Sequence, residues 1–209
     1  MVNIGIGGRL SSGKTNFGLG LVLDLSKYGK EKKIISLVKL YNVEHIYYTN
    51  EEFVDLIIKY KDNPEMLKKL FFNSVLYLDE IRNLISARKS TTNLNEAITQ
   101  FLMMAGKLDC DVVFTYQVYT SQVDLQLREI TDHNFETERR DINLKVLSFD
   151  QSRKRIPDIP VRILVTLMVF DGDKLIASKI QFAYDPLIYA KYYNTRQLLI
   201  LDRDKYLKR

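Results

Sequence analysis

The sequence predicts an α/β fold with a mainly parallel central sheet, flanked by helices and extended by antiparallel strands near the C-terminal end. Three observations predict it. Up to about Asp132, short apolar runs alternate with segments of helical spacing. The first run, Val2-Asn3-Ile4-Gly5-Ile6, feeds a glycine-bearing loop and then a helix-spaced segment. Beyond Asp132 the period changes to that of strands. The chain has 209 residues, 46% of them hydrophobic, enough for one well-buried domain with additions and too few for two large ones. It divides into a core over 1–132, added strands over 133–184 and a tail over 185–209.

The elements follow in order. Asn16 to Leu25 has the apolar spacing of a helix, and Lys32 to Val38 reads as a second strand. Asn50 is the predicted N-cap of a helix through Ile58, with acidic residues in its first turn. Pro64 interrupts, and a short amphipathic helix leads to Leu70. Ser74 to Glu80 is a buried strand ending in two carboxylates. Asn95 to Lys107 alternates at helical period, and Asp111 to Gln117 is a buried strand with a polar end. Asp124 to Arg128 is a short helix. His133 to Phe149, Val161 to Phe170 and Lys174 to Phe182 read as strands that extend the sheet antiparallel. Asp171-Gly172 marks a hairpin between the last two. A short helix opens the tail from Asp185.

The loop after the first strand carries the chemistry. Gly8-Arg9-Leu10-Ser11-Ser12-Gly13-Lys14-Thr15, followed by Asn16, spells G-x-x-x-x-G-K-T, the phosphate-binding P-loop or Walker A motif. Gly8 and Gly13 let the backbone curl so that successive N–H groups point at one phosphate. The helix that follows adds the positive end of its dipole. Lys14 reaches the β- and γ-phosphates, and the Thr15 hydroxyl ligates Mg²⁺. Arg9 either adds charge to the phosphate site or is solvated. The dinucleotide fingerprint is excluded, because Gly5-Ile6-Gly7-Gly8-Arg9-Leu10 ends in Leu.

Asp79 and Glu80 close an apolar strand at the end where ligands bind in parallel α/β sheets. An aspartate there holds Mg²⁺ or its water shell, and a glutamate directly after it polarises an attacking water. Such a glutamate argues against small kinases and classical GTPases. Gln117, at the end of the next strand, can hydrogen-bond the lytic water or the γ-phosphate.

Other features exclude more than they assign. Cys110 is the only cysteine, so there is no intramolecular disulfide, and a buried structural thiol in a reducing compartment is expected. No apolar stretch approaches bilayer length and no signal peptide is visible. The net charge of +5 is compatible with a nucleic-acid partner. His45 and His133 lack metal-ligand spacing and read as structural. Tyr47-Tyr48 and Tyr192-Tyr193 suit core or interface, with base stacking as the alternative. Arg139-Arg140 and Arg153-Lys154-Arg155 are either solvated or in contact with a phosphate backbone.

These motifs resemble the FtsK–HerA superfamily of RecA-like P-loop ATPases that pump DNA. The resemblance runs from Gly5 to about Phe135. Its more specific part is Asp111 to Gln117, then Gln122-Val123-Asp124-Leu125-Gln126-Leu127-Arg128 and Asp132. Within the superfamily, the small size and the Asp79-Glu80…Ser86-Ala87-Arg88 pattern look most like genome-packaging ATPases of tailless, membrane-containing double-stranded DNA viruses, archaeal icosahedral ones above all. The Zot-like assembly ATPases of filamentous phages share much of the pattern.

The resemblance implies ATP and Mg²⁺ as cofactors and non-specific contact with the backbone of double-stranded DNA. It also implies a homo-oligomeric ring (hexamer or pentamer) and a capsid, portal or membrane-vertex partner. The expected location is the host cytoplasm or the virion. Where the family often has an Arg-Lys pair before the Gln strand, this chain has Gly106-Lys107. An arginine finger is therefore sought at Arg88 or Arg128, with Lys107 third. The alternatives are a motor that exports single-stranded DNA and a non-motor ATP-binding regulator. A small-molecule kinase is disfavoured by the lack of an acceptor-binding or lid segment.

Overall fold

The N-terminal apolar run forms strand β1 (Asn3–Gly7), buried along its whole length. In this computed structural model residues 2–10, 12–28, 31–85, 93–117, 125–141, 161–171, 174–184 and 187–193 are described. The other strands are β2 (Lys33–Ser36), β3 (Ile46–Tyr47), β4 (Ser74–Leu78), β5 (Cys110–Thr115), β6 (His133–Asp141), β7 (Val161–Asp171) and β8 (Lys174–Tyr184). They make one 8-stranded sheet in the order β3-β2-β4-β5-β1-β6-β7-β8. The helices are α1 (Lys14–Lys27), α2 (Asn50–Tyr60), α3 (Pro64–Phe71), α4 (Asn93–Met104), α5 (Leu125–Glu129) and α6 (Leu187–Ala190).

Alternation along the buried strands divides the core in two. Ile35, Leu76, Leu78, Val112 and Phe114 face α2, α3 and α4, where Phe53, Phe71 and Phe101 pack edge to face or tilted. Ile4, Ile6, Ile34, Val75, Tyr77 and Val113 face the other way, against Phe17, Leu19 and Val22 of α1. Helices thus cover both faces, as the sequence predicts, and Cys110 is a fully buried thiol whose pKa burial pushes up to about 11.

Two local expectations are corrected and one element is added. Thr49, not Asn50, caps α2: it accepts from the Glu52 N–H while the Glu52 carboxylate accepts from the Thr49 N–H. This reciprocal pair outcompetes Asn50, which is buried as the first helical residue. Ile46–Tyr47 adds a two-residue parallel strand too short to announce itself by periodicity. Among the added strands only β7 and β8 are antiparallel, whereas β6 pairs parallel with β1.

The reason for the parallel β6 is the return path. After β5 the chain comes back by α5, and Asn3 at the start of β1 donates its backbone N–H to the Asp132 carboxylate and its side-chain amide to the Ile130 carbonyl. β6 therefore starts at the same end of the sheet as β1 and runs beside it. Asp171 pairs with Lys174, so two residues link β7 to β8. The predicted 142–149 continuation of β6 lies outside the described residues.

Candidate nucleotide-binding site

The C-terminal ends of β1, β4 and β5 converge. β5 lies between β1 and β4, in register with both. The loop from β1 into α1 needs both of its glycines. Gly8 has φ 143 and Gly13 φ 97, in the region that L side chains rarely adopt. A Cβ on Gly8 would meet the Thr137 carbonyl at 2.5 Å, and one on Gly13 would meet Ile163 Cδ1 at 2.6 Å. The added strands therefore brace this loop: the Thr137 hydroxyl donates to the Gly7 carbonyl at 3.2 Å and lies 2.9 Å from Ser12 Oγ. Arg9 and Leu10 are exposed, Ser12 and Asn16 are buried, and Ser11 lies outside the described residues.

Lys14 is 7% exposed, and its ammonium donates to the Gly8 and Arg9 carbonyls at 3.0 and 2.9 Å. Burial holds its pKa below the usual lysine value, Asp79 and Glu80 pull it up, and Arg82 pushes it down. Thr15 Oγ1 donates to the Asp79 carboxylate, 3.1 Å from Oδ1 and 3.0 Å from Oδ2. The Thr115 hydroxyl donates to Asp79 Oδ1 at 2.7 Å and accepts the Glu80 N–H at 2.7 Å. The Tyr77 hydroxyl donates to the Thr15 carbonyl at 3.1 Å and lies 3.4 Å from Asp79 Oδ1. Burial raises the Asp79 pKa above the usual carboxylate value, against the bonds from Thr115 and Thr15 and the charge of Lys14; Glu80 raises it further.

Glu80 stands at φ 52, ψ 67 and begins the 3-10 turn Ile81–Asn83. Its side chain is 32% exposed, with Arg82 Nε 4.0 Å away. Gln117, two residues past the end of β5, is half-buried. Thr15 and Asp79 offer an adjacent hydroxyl and carboxylate, the oxygen donors that Mg²⁺ shares with phosphate oxygens and water. The described residues therefore fit that cation.

The structure thus gathers Gly8, Gly13, Lys14, Thr15, Asn16, Asp79 and Glu80 at the C-terminal ends of interior strands, with Gln117 beyond the neighbouring strand end. It does not bring Arg128 or Lys107 there. Arg128 lies on α5, four residues before the Asp132 that bonds Asn3, toward the opposite end of β1. Lys107 is exposed just before β5, also at that end. Arg88, Gln122 to Asp124 and Arg153-Lys154-Arg155 lie outside the described residues. Arg139 and Arg140 precede Asp141, the last residue of β6, on the P-loop side.

Sequence reading missed Thr115, Thr137, Tyr77 and Arg82. Only Thr115 had a signal, a hydroxyl two residues before Gln117. Tyr193, expected in core or interface, packs against the core on the α1 side, hydrogen-bonds Asn16, and has its pKa raised by burial. His45 is structural, as expected: Nε2 accepts from the Leu40 N–H at 3.1 Å, so Nδ1 donates to the Val43 carbonyl at 2.9 Å.

The family model described as zonular occludens toxin (Zot) matches residues 1–157 of the 209. Among solved structures, the N-terminal domain of zonular occludens toxin from Neisseria meningitidis is similar over 92% of this chain and 98% of that one, at 16% identity and a TM-score of 0.58. The genome packaging NTPase of Sulfolobus turreted icosahedral virus 2, in complex with ATP-gammaS, is similar over 87% and 97%, at 14% identity and a TM-score of 0.53. At such identities the likeness is one of fold, that of RecA-like P-loop NTPases. No curated protein sequence matches the chain.

Proposed function

We propose that this chain, which belongs to the zonular occludens toxin (Zot) family, is a Mg²⁺-dependent ATPase that moves viral DNA. The observation that carries the ATPase reading is the Thr15–Asp79–Thr115–Glu80 chain of hydrogen bonds beside the P-loop. On binding ATP, Lys14 exchanges its bonds to Gly8 and Arg9 for β- and γ-phosphate oxygens. The loop N–H groups and the N-terminus of α1 hold the same phosphates. Thr15 and Asp79 would hold Mg²⁺, which neutralises phosphate charge. Glu80 accepts a proton from the attacking water, and Gln117 contacts that water or the γ-phosphate. An arginine supplied by a neighbouring subunit of a ring completes the site in trans, with Arg88 and Arg128 the candidates.

The family supports an assembly ATPase that moves single-stranded DNA, the Zot-like alternative of the motif reading. A second reading, packaging of double-stranded DNA into a capsid, draws on the Asp79-Glu80…Ser86-Ala87-Arg88 and Val123-to-Arg128 patterns. Either form of DNA is gripped through its backbone, independently of sequence.

Hydrolysis is measured with no DNA, single-stranded DNA and linear double-stranded DNA, over a protein concentration series, for wild type and Glu80→Ala. Stimulation by one DNA form, cooperative in protein and absent in the variant, is the expected result, and the form that stimulates chooses between the readings. Turnover indifferent to both forms would overturn the DNA-moving proposal. Binding without turnover would leave a nucleotide-dependent regulator.

A further inference from the structure

Thr115 ends β5 and is fully buried. Its single hydroxyl serves two consecutive residues of another strand's end. It accepts the Glu80 N–H at 2.7 Å and donates to Asp79 Oδ1 at 2.7 Å. One oxygen atom therefore joins the backbone of the proposed water-activating residue to the carboxylate of the proposed metal residue.

Three features make this more than a packing contact. First, Glu80 is a non-glycine residue at φ 52, a conformation that persists only where neighbours over-determine it. The Thr115 hydroxyl receives that residue's own N–H. Second, a threonine hydroxyl has one proton, and here it goes to Asp79 Oδ1, which Tyr77 also approaches at 3.4 Å. Thr15 reaches both oxygens from the P-loop side, Oδ1 at 3.1 Å and Oδ2 at 3.0 Å, so Oδ1 is held by both threonines. Thr115 thereby fixes the rotation of the carboxylate that Thr15 meets. Third, Gln117 follows two residues later on the same backbone, so the strand end that holds the Asp79 carboxylate and the Glu80 N–H also carries the proposed phosphate sensor.

We propose that Thr115 is the positioning residue of this site. It orients Asp79 and holds the Glu80 turn without touching nucleotide or water itself. The proposal rests on the ATPase reading of the same site. Valine matches threonine in shape and suits a strand, but it removes both bonds; serine keeps them.

The test compares Thr115→Val and Thr115→Ser in the full chain. Hydrogen exchange is followed at the Glu80 amide without nucleotide, where Thr115→Val is expected to exchange about tenfold faster and Thr115→Ser like wild type. ATP affinity in EDTA is expected to stay within about twofold for both. At saturating ATP, Thr115→Val is expected to lose about 10–100-fold in kcat with KM nearly unchanged, and to need more Mg²⁺ for half-maximal turnover. Thr115→Ser is expected to restore both. Wild-type turnover in Thr115→Val would overturn the proposal. So would equal losses in the two variants, or a parallel collapse of ATP affinity and melting temperature. If the wild type itself does not hydrolyse ATP, the ATPase reading fails. The positioning role is then decided by amide exchange and by whether Mg²⁺ tightens ATP binding in wild type and Thr115→Ser but not in Thr115→Val.

Discussion

Glu80 combines exposure with restraint: its side chain is 32% exposed, while its backbone is held in a left-handed turn by Thr115 and by its carbonyl's bond to the Asn83 N–H. A base for water needs that combination, since it must reach solvent without wandering. Glu80→Gln should lower kcat by about 10²–10⁴-fold while ATP affinity, read by equilibrium binding, is retained. Asp79 behaves differently. Burial raises its carboxyl pKa, so the folded protein binds that proton more readily than the unfolded chain does. Ionised Asp79 therefore costs stability at neutral pH, and the cost fades as pH falls through the raised pKa toward the ordinary value of 3.8. Asp79→Asn should melt at a higher temperature than wild type at pH 7 without nucleotide, lose that advantage near pH 4, and fail in Mg²⁺-dependent turnover. A lower melting temperature at pH 7 would show that the hydrogen bonds to Asp79 outweigh its burial. That Lys14, Thr15, Asp79 and Glu80 meet at one site was legible, because each belongs to a short linear motif. Thr115, Thr137 and Tyr77 were not, because what they do depends on atoms far along the chain.

At the scale of elements, the phosphate loop is held from two directions. Its shape comes from Gly8 and Gly13, and its position from Thr137 of β6 and Ile163 of β7. Gly13→Ala should cost about 1–3 kcal/mol from backbone strain, with a further loss from the 2.6 Å approach to Ile163, and should weaken ATP binding as well. Thermal melting and nucleotide titration read the two effects separately. Thr49→Ala is the matched control. It removes the capping box of α2, well away from the P-loop in sequence, so it should cost about 1 kcal/mol of stability and leave ATP affinity unchanged. The helices and buried strands were legible from periodicity to within a residue or two. Where the reading slipped, a specific interaction outweighed propensity. Thr49 and Glu52 took the cap from Asn50, and the α5 return path made β6 parallel.

Across the whole molecule, the C-terminal segment crosses back over the P-loop helix. β8 ends beside Ile163, near Gly13, and the chain then reaches α1, where a Cβ on Gly20 would lie 2.7 Å from the Tyr189 ring. It continues to the loop after β2: Tyr41 donates its N–H to the Tyr192 carbonyl at 2.8 Å, and Leu40 pairs with Tyr193. Tyr193 also bonds Asn16, directly after the Walker threonine. Gly20→Leu should displace Tyr189 and speed limited proteolysis near residues 187–193 about tenfold, with little change in the core's melting transition. Unchanged proteolysis would mean that the contacts to Leu40, Tyr41, Asn42 and Asn16 hold the segment without Tyr189.

The sequence by itself determined the α/β class, the P-loop, the strand-end carboxylates and the order of most elements. Each of these is written in local chemistry: the period of apolar residues, glycines where φ must be positive, and carboxylates at a strand's end. Only the tertiary structure decided that β6 runs parallel, that the added strands brace the P-loop and that Tyr193 docks on Asn16. It alone placed Thr115 between Asp79 and Glu80. Those facts depend on contacts between residues such as Gly7 and Thr137, Gly13 and Ile163, or Asn16 and Tyr193, which no local pattern connects. They exist only once the chain has closed on itself, because burial leaves each polar group to find a partner wherever the fold supplies one.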